Sequence, residues 1–260
     1  PDWDRRSLES FLYGQIKEVL DKTLDWIIEG GEGNTNSGSP FSMTQKQFDT
    51  RLDELQFLQP SHLEIACLKD DDTTNVEDEP SSSPSSMKLD ILLKEPIESL
   101  RSIEAFYSPY EKLQCVLDVF RGVNAALSQT STTVPSADDV LPSVILVVVK
   151  AASVSNATKA GKTSSKNKAA SLRNLLRDLF FVESFALPEY LRGEAGYAFT
   201  NLYGAVQFLQ DLELDSVDEG GDNGGSSNTS NSLSISADEL RVGLEKSRAD
   251  RKSTRLNSSH

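Results

Sequence analysis

Two adjacent carboxylates, Asp138 and Asp139, stand just ahead of Pro142 and of the most apolar run in the chain, residues 144–149. An acid pair at the start of a helix ordinarily supplies one cap and one solvated charge. Pro142 locates that start, because proline is tolerated in the first helical turn, where amides have no partner, and breaks a helix further in. A helix here begins at about Asp138 or Asp139. With Asp139 as the cap, Pro142 takes the third helical position and Asp138 sits just outside, on a free corner. One acid then has a structural task and its neighbour is available for another. The periodicity leaves the secondary structure open: Val144 to Val149 is β-branched and strand-prone, while Leu141, Val144, Ile145 and Val148 fit a helical face.

Covalent chemistry finds little support. Residues 250–260 look like translated sequencing-adapter DNA and are set aside. They carry one acid and three bases, so the rest of the chain has a net charge of -16 against -14 for the whole, and they contain His260, which leaves His62 as the only histidine. One histidine in a helix-start context argues against a Ser-His-Asp or Cys-His site and against a His-rich metal site. It reads as a surface or half-buried structural residue. Gly161-Lys162-Thr163 has the look of a phosphate-loop ending, but Asn156 stands where that motif needs its first glycine. No metal site and no cofactor is expected.

The net charge of -14 disfavours binding to nucleic acid, whose affinity comes from lysine and arginine on phosphates. The two cysteines, Cys67 and Cys115, lie in apolar contexts and read as small buried hydrophobes in a reducing compartment. The longest apolar run is far too short for a membrane span.

Helical spacing organises most of the remaining chain. Residues 3–29 repeat Leu8, Phe11, Leu12, Ile16, Val19, Leu20, Leu24 and Ile27 at intervals of mostly three and four. Residues 44–69 do the same with Phe48, Leu52, Leu55 and Leu58, interrupted at Pro60, after which Ser61 can cap a short helix near His62. Residues 87–128 form three pieces, with Pro96 and Pro109 at the starts of the second and third, and Leu113, Val116, Leu117, Phe120 and Val123 as a core stripe. Residues 171–185 present Leu172, Leu175, Leu176, Leu179 and Val182. Residues 191–215 present Phe199, Leu202, Val206 and Leu209 on one face, with Tyr197, Thr200 and Gly204 on another. A last helix over 234–248 is capped by Ser236 and Glu239. Polar stretches at 30–39, 70–86, 152–170 and 219–231 lack apolar periodicity and are expected to be disordered; the third is lysine-rich, and weak attraction to anionic lipid is its only functional use.

Two segments in order carry a resemblance. One is Ala137-Asp138-Asp139-Val140-Leu141-Pro142; the other is Gly193-Glu194-Ala195-Gly196-Tyr197-Ala198-Phe199-Thr200-Asn201-Leu202. Together they resemble the vacuolar-protein-sorting-nine domain, the exchange domain of endosomal Rab activators. Pro109-Tyr110-Glu111-Lys112-Leu113 is similar to the family's Pro-x-x-Lys-Leu, and residues 55–65 look like the family's preceding helical bundle. The stretch after Lys150-Ala151 departs from the family, which has a short Asn-Pro-Pro connection there.

The resemblance decides residues 144–149 in favour of helix and implies an all-α, layered helical bundle. It implies an N-terminal helical bundle over 1–86 and an exchange domain over 87–249, with low-complexity insertions near 152–170 and 219–231. It implies a guanine nucleotide exchange factor that makes and breaks no covalent bond, working in the cytoplasm at the periphery of early endosomes. Its partner would be an endosomal, Rab-five-like small GTPase in GDP-bound and nucleotide-free forms. By motif position Asp138 is the acidic residue that enters the nucleotide site and Asp139 the helix cap. Pro142 shapes the groove rim, and Tyr197 and Thr200 form a second contact with the GTPase. An exchange-inactive Rab-binding scaffold is the alternative.

Overall fold

The chain, in a computed structural model, is described over residues 4–29, 41–63, 65, 91–130, 136–152, 172, 174–212 and 237–257. Eight α-helices and no strand occur among them: α1 Arg5–Ile28, α2 Gln45–Glu54, α3 Lys94–Arg101, α4 Pro109–Thr130, α5 Ala137–Ala152, α6 Leu175–Phe185, α7 Gly193–Asp211 and α8 Ala237–Asn257. The all-α layered bundle expected from the sequence is the observed architecture. Short 3-10 turns at Leu55–Phe57, Pro60–Leu63 and Ser102–Ala105 join helices where proline or a sharp bend interrupts them.

Helix α5 is the centre of the bundle. It packs against α2, α3, α4 and α7 and against the turns that follow α2. Every side chain from Ser143 to Val149 is buried. Burial on all sides explains how a β-branched run becomes a helix. Each aliphatic side chain removed from water contributes about 1.5–3 kcal/mol, which outweighs a propensity penalty of a few tenths of a kcal/mol per residue. The end of α5 is closed by neighbours. Arg101 donates to the carbonyls of Lys150 and Ala151, and Gln56 Nε2 to that of Val149 at 2.7 Å. These carbonyls have no partner within the helix, and positive charge is favoured there.

Helix starts follow local chemistry. Thr44 and Gln47 form a capping box before α2. Ser108 and Glu111 do the same for α4, with Pro109 in the first position, where a missing N–H is harmless. Burial raises the Glu111 carboxyl, and hydrogen bonds from Ser108, Ser10 and the Tyr107 amide outweigh it, so Glu111 titrates below the usual range. Pro96 falls at the third position of α3. Lys112 and Asp178 form a buried ion pair of 3.0 Å between α4 and α6, and Lys112 also donates to the Ile103 carbonyl. Burial pushes both groups toward their neutral forms, and the attraction of each for the other opposes that shift. Cys115 is buried, as expected, with its thiol pushed up to about 11.

The structure departs from expectation at both ends. In α1 only Leu24 and Ile28 are buried; Leu8, Phe11, Leu12, Ile16 and Val19 face solvent instead of forming a core stripe. Helix α8 runs through to Asn257, past the expected end at 248. Its Glu239 meets His62 Nε2 at 3.2 Å. His62 is structural, as expected, but buried, with Nδ1 accepting from the Gln59 amide. Cys67, Ser236, Gly161-Lys162-Thr163, the lysines of 159–168, and the polar stretches at 30–39, 70–86, 153–170 and 219–231 lie outside the described residues. No helix among the described residues is long and apolar enough to cross a membrane.

Candidate functional site

The start of α5 separates its two acids. Asp138 is exposed and Asp139 is buried. One Asp139 carboxylate oxygen accepts from the Ser136 amide at 3.0 Å and from the Ser136 hydroxyl at 2.9 Å. The helix therefore begins at Ala137, three residues earlier than an Asp139 N-cap would set it. Ser136 precedes it, and Asp139 caps from the third helical position by reaching back, in the manner of a capping-box acid. Asp139 has the expected task but is not the N-cap residue itself.

Pro142 consequently lies inside α5, at the sixth position, not in its first turn. Its missing N–H would otherwise have bonded to the carbonyl four residues back, which is that of Asp138. Ser143, one residue on, adds a hydroxyl bond to the Asp139 carbonyl at 2.8 Å, which leaves the Asp138 carbonyl as it is. Asp138 thus carries a solvent-facing carboxylate and a carbonyl relieved of its helical hydrogen bond. No hydrogen bond or ion pair to another described residue restrains that carboxylate.

The second segment opens α7, and the fold itself demands two of its glycines. Gly193 has φ +67, the left-handed region that favours glycine. A Cβ on Gly196 would lie 2.1 Å from the Leu191 carbonyl oxygen, so no larger residue fits the turn that enters the helix. Arg121 on α4 makes a two-pronged ion pair with Glu194, at 3.0 and 2.6 Å. That pairing holds the Glu194 carboxyl below the usual carboxylate range. One helical turn on, Phe120 meets the Tyr197 ring edge-on, centroids 5.4 Å apart at 88°.

Tyr197 is half exposed despite that contact. Thr200, one turn further, is exposed and spends its hydroxyl proton on the Gly196 carbonyl at 2.9 Å, which leaves its lone pairs outward. Helices α4 and α5 both pack on α7. Asp138 thus lies in the first turn of α5 and Tyr197 at the start of the second turn of α7, two helices in contact, with α4 bracing the tyrosine. The sequence analysis passed over Arg121 and read Phe120 only as part of a core stripe, since nothing local to either announces a partner more than 70 residues away.

Residues 93–157 match the family model of the vacuolar sorting protein 9 (VPS9) domain. That segment is similar to a VPS9 domain. It takes in α3, α4 and α5, and with them Asp138, Asp139 and Pro142. Among curated proteins, vacuolar protein sorting-associated protein 9A of Arabidopsis thaliana is 26% identical to the chain over 124 residues. That alignment takes in 46% of the chain and 20% of the Arabidopsis protein, so the chain spans about a fifth of the relative it matches. The VPS9 domain is a nucleotide-exchange domain of the kind that acts on Rab GTPases. Tyr197 and Thr200 lie beyond the matched VPS9 stretch, and what ties them to it is the packing of α7 on α4 and α5.

Proposed function

We propose that the chain is a guanine nucleotide exchange factor that promotes GDP release from an early-endosomal, Rab-five-like GTPase, working in the cytoplasm at the endosome periphery. The observation that carries this reading is the division at the start of α5, where Asp139 is consumed in the helix cap and Asp138 is left exposed and unrestrained. A GTPase holds its nucleotide through a phosphate loop, its lysine and Mg²⁺. A carboxylate brought into that site competes with phosphate for the lysine and repels the phosphates. Asp138 is the group placed to do this. Tyr197, with its hydroxyl and half-exposed ring, and Thr200, with outward lone pairs, supply the second contact, and Pro142 shapes the groove rim. An exchange factor binds the nucleotide-free GTPase better than the loaded one, and by linkage weakens nucleotide affinity by the same factor. No bond is made or broken.

The test is release of a fluorescent GDP analogue from a panel of purified Rab GTPases. The parent chain is expected to accelerate an endosomal Rab. Asp138→Ala should lose at least tenfold in kcat/KM with its helix content unchanged. Loss in Asp139→Ala, with Asp138→Ala still active and both variants folded, would reverse the assignment of the two acids. A folded parent that binds a Rab but accelerates none would be an exchange-inactive scaffold.

A further inference from the structure

One glycine of α7 has no explanation within the chain. Gly122 is held by Pro96 and Gly243 by Phe57, whose atoms a Cβ would meet at 2.8 and 2.5 Å; Gly193 and Gly196 are required as described above. At Gly204 an added Cβ would meet nothing within 4 Å, and its φ is outside the left-handed region. Glycine in a helix interior is unfavourable relative to alanine. Gly204 therefore weakens α7 while relieving no clash and no strain in this fold.

Its position supplies a second observation. Gly204 follows Tyr197 by seven residues and Thr200 by four, so the three lie on one line along the helix. Gln207 and Asp211 continue that line at the same spacing and are exposed. The opposite side of α7, Phe199, Leu202, Val206 and Leu209, is buried in the core. A bare backbone in the middle of an outward-facing line that begins two turns away at an exposed aromatic ring is a place where another chain can approach closely.

We infer that Gly204 is the point of closest approach of the GTPase to α7, and that the docking footprint continues past Thr200 toward Gln207. The inference rests on the proposed function, and it adds a specificity-determining position to that site. A side chain at 204 has room in the free protein and would be excluded only by the bound partner. Substitution should therefore spare the fold and impair docking in proportion to size.

The experiment compares the full chain with Gly204→Ala, Gly204→Leu and Tyr197→Ala in the same GDP-analogue release assay. Titration against nucleotide-free GTPase runs in parallel. Gly204→Ala is expected to raise Tm by about 2–4 °C, as relief of a helix-interior glycine should in a chain of this size. Gly204→Leu is expected to keep Tm at or above the parent value and to lose at least fivefold in kcat/KM, mainly through KM, with Gly204→Ala losing less. A smaller loss in Gly204→Leu, alongside a Tyr197→Ala variant that is impaired, overturns the inference and leaves the exchange reading intact. If the parent binds without accelerating release, the exchange reading fails, and the same fivefold criterion applied to Kd decides Gly204. A parent that neither binds nor accelerates any GTPase of the panel overturns both.

Discussion

At the scale of single residues, two neighbouring aspartates of the same chemistry have been given opposite surroundings. Asp139 accepts two hydrogen bonds from Ser136 and is buried; Asp138 is exposed, ahead of a proline that relieves its carbonyl. Stability and docking should therefore separate cleanly between them. Loss of a helix-capping group costs about 0.5–2 kcal/mol, so Asp139→Ala should lower Tm by roughly 2–8 °C. Asp138→Ala should leave Tm within about 1 °C of the parent, because a surface change away from such contacts is close to neutral. Thermal melts followed by circular dichroism check both, and equal losses in the two variants would contradict the geometry. The sequence announced that one acid is structural and one free, but the proline argument put the cap one turn too late. The spacing of Ser136 to Asp139, an acid three residues after a serine, was the signal that locates it.

At the scale of elements, the order of the helices was legible because apolar spacing is local, while several of their ends were not. What was not legible is how they lock together. Lys112 sits one turn before Val116 on an otherwise apolar stripe, and the structure pairs it with Asp178, 66 residues further on. Both side chains are about 3% exposed, and the second Asp178 oxygen has no hydrogen-bond partner among the described residues. Such a pair is harder to lose by halves than as a whole. Lys112→Met leaves the buried Asp178 carboxylate with only the longer Arg177 contact of 4.0 Å and should destabilise by about 3 kcal/mol, whereas replacing both partners by apolar residues of similar volume is often near neutral. The double variant Lys112→Met, Asp178→Leu should thus recover most of what the single one loses. Urea unfolding of the two, read as a change in midpoint at constant slope, measures the difference. A double variant as unstable as the single one would show that the pair contributes more than mutual neutralisation.

At the scale of the whole molecule, burial is uneven, and α1 shows why periodicity alone could not foresee it. The apolar spacing of α1 correctly marked a helix with one apolar face, but spacing says nothing of what covers that face. Here Leu8, Leu12, Ile16, Val19 and Trp26 point outward, and α1 is held by Leu24 and Ile28, by the Tyr13–Phe181 ring contact, and by polar links such as Arg177 to Asp21 and Asp25 and Ser10 to Glu111. Arg177 is buried, but its partners Asp21 and Asp25 lie nearer solvent, at 3.8 and 3.5 Å, so these links enclose little of the apolar surface of α1. Helix α5, by contrast, is enclosed by four helices and can expose its amides only when they separate. Local opening takes the elements with fewest buried apolar contacts first. Backbone amides of residues 8–22 should consequently exchange with solvent deuterium through sub-global opening, at least tenfold faster than those of residues 144–149, whose exchange should track global unfolding. Mild denaturant should accelerate exchange at 144–149 steeply and leave that at 8–22 nearly unchanged, because opening α1 uncovers little apolar surface. Equal protection in the two segments, with the same denaturant dependence, would mean that α1 is bound into the cooperative unit by more than its contacts with α4 and α6.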